Sequence, residues 1–578
     1  VRETAPVTPD HDLVVRGATV ADGTGAPLRE ADLAVDAGRV TTVGAVPGRG
    51  REEIDARGLL LTPGWVDVHT HYDGQVTWDS LIAPSSRLGV TTVVTGNCGV
   101  GFAPVRPDRH AWLIELMEGV EDIPGTALHE GIAWEWETFP EYLDALDRRR
   151  FACDVGTQVP HGALRGYVMG DRGGDHTEVP DPDEVARMGA LVAEAVAAGA
   201  LGFSTSRTVN HKSASGAFTP SLSAGADELL GIARALGATG RGVLEVVADL
   251  DDLDAEFALI RRLAEVSGRP TSLTVLQKPV RPTEYRALLD RIADAVADGV
   301  PMRGQVPTRP VGLIMSLDGR VHPFVASPTY RSLAGLPTSE RTARLDDPSL
   351  RDRIVAEAEA NAAASPLTHF GAAFPLTDPP RYDPAPDESI QAEAARSGRS
   401  AFAVALDVLR APGGQLYLPV MNYADGTMAV TREMLTDPNC VPGLGDAGAH
   451  CSLICDASMP TFMLSYWARD AAPDLRLPIE VAVRRQTADT ADLVGLHDRG
   501  RLVPGARADA NLVDLDRLSL DRPHLVADLP AGGRRLMQTA AGYVATLVAG
   551  TVVHRDGEDT GARPGRLVRG AQPAGTPS

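Results

Sequence analysis

Between residues 65 and 448, eight short, largely apolar runs alternate with helix-patterned stretches, and this alternation constrains the chain more than any other feature. The runs are WVDVHTH (65–71), VTTVVTG (90–96), DVGTQVP (154–160), ALGFSTS (200–206), GVLEVVA (242–248), PTSLTVLQ (270–277), MRGQVPT (302–308) and VPGLGDAG (441–448). Runs of this length suit strands buried on both faces. Helical stretches lie between most of them. PDPDEVARMGALVAEAVAAG opens on acidic residues and closes at Gly199. LDAEFALIRRLAEVSG spaces Phe257, Ile260 and Leu263 along one face and stops at Gly268. Eight such alternations predict an α/β fold, a (β/α)8 TIM-like barrel with its chemistry at the carboxyl ends of the strands.

The two ends of the chain are different. DLVVRGATVADG and DLAVDAGRVTTVG near the start, and ADANLVDLD and AGYVATLVAGTVVHRDG near the close, read as short strands with turns. Distant pieces of this kind can pair into one small sheet domain. The expected boundaries are 1–60 and 491–578 for that domain and 61–490 for the barrel. A long segment, 309–440, separates the seventh and eighth runs and includes the helical run PSLRDRIVAEAEANAAA. It is expected to be an insertion or lid, because a structureless loop of that length is rare. The tail beyond about residue 560, rich in Gly, Pro, Arg and Ala, is expected to be extended or partly mobile.

Composition excludes several roles. A net charge of −22 argues against a nucleic-acid surface. Five scattered cysteines do not make a disulfide scaffold. The opening VRETAPVTPDHD lacks the apolar core of a signal peptide, and no apolar run reaches the length of a membrane span, about 18 residues. The expectation is a cytoplasmic enzyme with a small-molecule substrate, no nucleic-acid or membrane partner, and a homo-oligomeric state as the default for its size.

His69 and His71 close the first run. At i and i+2 on a strand they face one side, and both imidazoles can reach one cation at about 2.0–2.1 Å. Asp73 follows on the same side. Asp446, in GLGDAGAH at the end of the eighth run, faces the same mouth, where a carboxylate can ligate a metal and act as general base. Its alternative is a turn aspartate beside glycine. Cys98, in TGNCGVGFAP after the second run, is either a thiolate ligand or a small buried hydrophobe. Trp65 and Trp78 read as packing residues. His110, His129, His176, His497, His524 and His554 have no supporting pattern.

LTPGWVDVHTHYD, GVTTVVTGNCGVGFAP, VPHGALRGYVMG, AGALGFSTS, GLGDAGAH and LVAGTVVHRDGEDTGARPGRLVRG together resemble the amidohydrolase superfamily, and within it the D-aminoacylase (N-acyl-D-amino-acid deacylase) branch. The motifs span nearly the whole chain in family order. The resemblance implies a (β/α)8 barrel with a small β-sandwich built from both termini, and zinc-dependent hydrolysis of an N-acyl bond on a D-amino acid. It also exposes departures. The branch carries a histidine on strand five (SHIR-like) and another on strand six (SHLK), which hold the tightly bound zinc together with the strand-two cysteine. Here those strands read VLEVVAD and TVLQK. The direct registration puts Val246 and Leu276 at the two positions, and a shift by one puts Glu245 and Gln277 there.

The resemblance therefore implies one Zn2+ on His69, His71 and Asp446, with Cys98 a fourth candidate. A second ion is allowed if Glu245 replaces a lost ligand. Asp446 is the expected catalytic residue. His161, Arg207, His211 and Lys212 are expected to contact substrate, with His450 a partner of Asp446. Two other readings stay open: a divergent enzyme of the same fold, non-hydrolytic or acting on a cyclic amide or natural-product intermediate, and a metal-free binding homologue.

Overall fold

The computed structural model describes residues 9–362 and 366–576, so most of the opening segment read above lies outside the described residues. All eight apolar runs contain strands. Trp65–Asp67, Val90–Thr95 and Asp154–Thr157 form one parallel sheet. Val159–Pro160, Gly202–Arg207, Val243–Ala248, Thr271–Thr274, Met302–Val306 and Cys440–Pro442 form a second, in that order. The third run belongs to both sheets, because only Gln158 separates its two strands. Thr70 and Ala447, just past the first and eighth strands, form a parallel bridge. Spatial order thus follows sequence order and returns on itself.

The strands are shorter than the runs. The first ends at Asp67, before His69, and the eighth at Pro442, before Asp446. Pro442 and the glycines after it remove ladder donors and side-chain packing, so the chain leaves the sheet there. The Thr70 bridge lies between His69 and His71 and keeps them on one side, as strand geometry would.

The helices follow their end signals. Pro182–Ala198 starts at a capping box made by Asp181 and Glu184 and stops at Gly199. Leu253–Ser267 ends at Gly268 in the left-handed region, a conformation glycine adopts without penalty. Phe257, Ile260 and Leu263 from this helix join Val93, Val155, Phe203, Leu244 and Val246 from the strands in one large core. Each such side chain contributes about 1.5–3 kcal/mol through burial.

The two ends of the chain meet in a nine-stranded sheet. Leu60–Pro63 pairs with His11–Val20 on one side and with Ala510–Val513 on the other, and Tyr543–Val548 extends the sheet beyond Ala510–Val513. It has its own core around Leu13, Val15, Leu61, Leu512 and Leu547. The segment 309–440 also has a core of its own, including Met315, Phe324, Ile354, Phe402 and Leu409. Its strands Gly312–Met315, Leu416–Pro419 and Phe374–Pro375 make a small antiparallel sheet. The helix expected in it covers Pro348–Ala360, and the end of that run, 363–364, lies outside the described residues.

The tail is extended, as expected, but it is also fixed. Gly565 pairs with Phe151, Leu567 with Val155 and Gln572 with Leu496. Beneath this strap lies Asp154, fully buried on the third strand. It accepts hydrogen bonds from Arg499 Nη1 (2.7 Å), Arg507 Nη2 (3.0 Å) and the Arg566 amide (2.9 Å). All five cysteines are free and buried. Among the described residues, no helix is long and apolar enough to cross a membrane.

Candidate metal centre

His69 is fully buried, and its Nδ1 lies 2.9 Å from Gln305 Oε1. The amide nitrogen of Gln305 donates to Ser272 Oγ at 2.8 Å, which leaves its oxygen as the acceptor. His69 therefore donates through Nδ1, and its Nε2 keeps a lone pair. That Nε2 lies 3.2 Å from Cys98 Sγ and 3.4 Å from Asp446 Oδ1. His71 repeats the arrangement. Its Nδ1 faces Glu121 Oε1 at 3.3 Å, and its Nε2 faces Asp446 Oδ1 at 3.7 Å. The ligand atoms of His69, His71 and Cys98 all lie within 4.8 Å of one another.

Two of these residues sit on strained backbone. Cys98 has φ +53° and Asp446 φ +42°, a region that costs a non-glycine residue about 1–3 kcal/mol. Cys98 is pinned by its amide, which donates to Glu245 Oε2 at 3.0 Å, while the next amide, Gly99, donates to Ser204 Oγ at 3.0 Å. Gly448 lets the Asp446 loop lie against the His71 backbone, since a Cβ there would come within 2.9 Å of the His71 carbonyl.

The residues fit a divalent cation. Asp446 Oδ1, which faces Nε2 of both histidines, is buried without a hydrogen-bond partner, and such an orphan is costly unless another group compensates it. Burial lowers the His71 imidazole to about 4, against the opposing pull of Asp446, so His71 is neutral at pH 7. Burial would raise the Asp446 carboxyl, but His71 and the charges of His69 and His450 outweigh it and hold the group well below its ordinary range. Burial and the charges of Glu245 and Glu121 push the Cys98 thiol well up. Two imidazoles, one carboxylate and one sulfur form a donor set suited to zinc.

The position of Glu245 corrects one expectation. Its Oε1 is 4.0 Å from Nδ1 of His69, the nitrogen that faces away from Cys98, and its Oε2 holds the Cys98 amide. It props two candidate ligands from behind instead of replacing a lost one. Burial raises its carboxyl to about 7. Val246 points into the apolar core, so the fifth strand presents Glu245, not Val246, toward the site. On the sixth strand Ser272 is the inward residue, bonded to Gln305. Leu276 lines a cavity with Tyr285 and Leu288. Gln277 is tied to the Ala424 amide (3.0 Å) and the Pro282 carbonyl (3.1 Å).

Three expected substrate contacts are engaged elsewhere. His161 is fully buried, with Nδ1 2.8 Å from Thr205 Oγ1 and Nε2 2.9 Å from Glu228 Oε1, so neither ring nitrogen is free. The same Glu228 oxygen accepts from Arg165 Nη1 at 2.7 Å. Arg207 pairs with Glu256 at 3.0 Å and donates to the Ala224 carbonyl at 2.7 Å. Lys212 is exposed, with Nζ 4.8 Å from the centre of the Phe218 ring. His211 and His450 do lie by the cluster. His211 Nδ1 is 2.9 Å from Ser206 Oγ, and burial, then the charges of His450 and His71, lower it to about 3. His450 Nε2 is 3.8 Å from Asp446 Oδ2.

Sequence reading missed Glu121, Gln305 and Asp67, whose Oδ1 accepts from the His69 amide at 3.2 Å. Asp67 and Gln305 left a signal, each being a polar residue inside an apolar run. Glu121 left none, because it is simply the last residue of the helix His110–Glu121. Trp65 is a packing residue that donates to Tyr543 Oη at 2.9 Å.

Parallel strands gather two histidines, a cysteine and an aspartate at their carboxyl ends, an arrangement in keeping with the metal-dependent hydrolases. The model of the amidohydrolase family matches residues 52–554. The chain belongs to that family, in its D-aminoacylase branch, and is a hydrolase of carbon–nitrogen bonds other than peptide bonds. It is 28% identical over 562 residues to the D-aminoacylase of Alcaligenes xylosoxydans xylosoxydans, covering 96% of this chain and 97% of the relative. A crystal structure of D-aminoacylase shares the fold at a TM-score of 0.64 and 24% identity, over 97% of this chain and all of that one. The N-acyl-D-glutamate deacylase of Bordetella bronchiseptica, solved with zinc and a phosphonate mimic of the tetrahedral intermediate, matches at a TM-score of 0.63 and 26% identity, over 97% and 99% of the two chains.

Proposed function

We propose that this chain is a zinc-dependent deacylase of an N-acyl-D-amino acid or a closely related amide. One observation carries the reading: Nε2 of His69, Nε2 of His71, Sγ of Cys98 and Oδ1 of Asp446 converge, while Gln305 bonds the rear nitrogen of His69 and Glu121 faces that of His71. Full-length similarity to deacylases favours an acyl amide over the cyclic-amide and metal-free alternatives. The eight parallel strands are assigned to the (β/α)8 barrel of the family, and the sheet made from both ends of the chain to its small β-sandwich.

His69, His71, Cys98 and Asp446 would hold one zinc, since the fifth and sixth strands offer no histidine for a second. When bound, zinc supplies a Lewis acid for the acyl carbonyl and lowers the pKa of an attacking water. Asp446, ionised at neutral pH, takes the proton of that water and delivers it to the leaving nitrogen. His450, 3.8 Å from Asp446 Oδ2, and His211, bonded to Ser206, are assigned to the substrate.

The test pairs metal content with a substrate panel. About one zinc per chain, and hydrolysis of N-acyl-D-amino acids that is lost in Asp446→Asn, are the expected results. Undiminished turnover by metal-free protein would overturn the mechanism.

A further inference from the structure

The two candidate metal histidines are braced differently. Gln305 holds Nδ1 of His69 from the neighbouring strands. Nδ1 of His71 faces Glu121 Oε1 at 3.3 Å, and among the described residues neither atom has a hydrogen-bond partner. Glu121 is buried at the end of the helix His110–Glu121, and the next residue, Asp122, turns the chain at φ +52°. This dipeptide is a junction. The Glu121 carbonyl accepts a hydrogen bond from the His450 amide, in the loop that carries Asp446. Asp122 Oδ2 accepts from the amide and hydroxyl of Ser452, at 2.9 and 2.5 Å, in that same loop. Asp122 Oδ1 accepts from Arg320 Nη1 at 2.5 Å, and Arg320 belongs to the 309–440 segment. A further bond, from the Ile314 amide to the Leu453 carbonyl (2.8 Å), seats that segment on the Asp446 loop.

We infer that Glu121 is a positioning residue for His71, and that Asp122 and Arg320 make its placement depend on how the 309–440 segment is seated. The inference rests on the proposed zinc site. An acceptor behind Nδ1 selects the tautomer whose Nε2 lone pair faces the metal and fixes the ring plane. Removing such a partner typically weakens metal binding about 10–100-fold. A buried oxygen with no partner is also a liability in the metal-free protein. A residue kept for the metal and one kept for packing therefore respond oppositely to mutation.

The experiment measures zinc affinity by competition with a chromophoric chelator, and thermal unfolding of metal-free protein, for wild type, Glu121→Gln, Glu121→Ala and Arg320→Ala. Glu121→Ala is expected to bind zinc about 10–100-fold more weakly and to melt no lower than wild type without metal. Glu121→Gln, which fills the same volume and keeps an acceptor, should fall between the two and fold in any case. Arg320→Ala should weaken zinc severalfold without touching any ligand. Wild-type zinc affinity in both Glu121 variants, combined with a lower metal-free melting temperature, would make Glu121 a packing residue and overturn the inference. Unchanged affinity in Arg320→Ala would overturn the dependence on the 309–440 segment. A wild-type chain that takes up no zinc would instead overturn the metal-centre reading on which both parts stand.

Discussion

Replacing Asp154 by Asn should loosen the C-terminal strap far more than a typical polar substitution. The carboxylate accepts from two buried guanidinium groups and one backbone amide. Breaking an isolated buried ion pair costs about 3–5 kcal/mol, but this pair is not isolated. Arg499 also binds Asp498 at 2.9 Å, and Arg507 lies 3.2 Å from Asp509, so both cations keep a partner in the variant. What is lost is hydrogen bonding from charged donors, worth about 1.5–3 kcal/mol each. Arg507 and the Arg566 amide share Oδ1, so an Asn with its oxygen there keeps both bonds but turns its own N–H groups toward Arg499. One lost bond from a charged donor, with the Asn N–H groups now facing that guanidinium, costs about 3 kcal/mol, the upper end of that range. The strap reports it directly, because the Val568 amide donates to the Val155 carbonyl (2.8 Å) and the Gly565 amide to the Phe151 carbonyl (2.8 Å). A drop of about 3 kcal/mol in local opening energy corresponds to roughly a hundredfold faster exchange of these amides. Hydrogen exchange read by mass spectrometry over 560–576 measures it. Exchange within threefold of wild type would show that Asp498 and Asp509 alone hold the arginines, and would refute the reasoning.

Two other outcomes concern the network that engages His161. His161→Asn should leave KM and kcat within about threefold of wild type while lowering stability by about 1–3 kcal/mol, measured by urea unfolding; a tenfold rise in KM would restore His161 as a substrate contact. Acidification should weaken the same network in two stages. Burial, against the pull of Glu228, lowers the folded-state pKa of His161, so the unfolded chain binds the extra proton first and stability falls as the pH drops through 6.5. Glu228 is lowered although burial opposes it, because His161 and Arg165 bind it, so its contribution is present above pH 4.5 and is lost as the pH falls further. Urea midpoints at pH 7.5, 5.5 and 4, with Glu228→Gln removing the second stage, check the sign.

Much of the fold is legible because a strand buried on both faces leaves an unbroken apolar run, and all eight runs contain strands. The same property hides side-chain direction. In VLEVVA no polar alternation marks the inner face, so Val246 and Glu245 look equivalent until pairing with Ser204 and Ser272 sets the register. His69, His71, Cys98 and Asp446 are readable because each follows a strand end. Glu121 is not, since its role depends on where a helix happens to stop. His161 and Arg207 mislead for a related reason. Their partners Glu228 and Glu256 lie on helices that show nothing in sequence except ordinary amphipathic character.

The sheet shared by the two ends of the chain also imposes a schedule on biosynthesis. Leu60–Pro63 is made early, yet its neighbour Ala510–Val513 is roughly 450 residues downstream. At about 5–20 residues per second, the ribosome needs on the order of tens of seconds to deliver it. During that interval the outward edge of Leu60–Pro63, rich in apolar side chains, has no partner from its own chain. This edge waits through most of synthesis, and it is where a holding chaperone would act or a neighbouring nascent chain would pair in error.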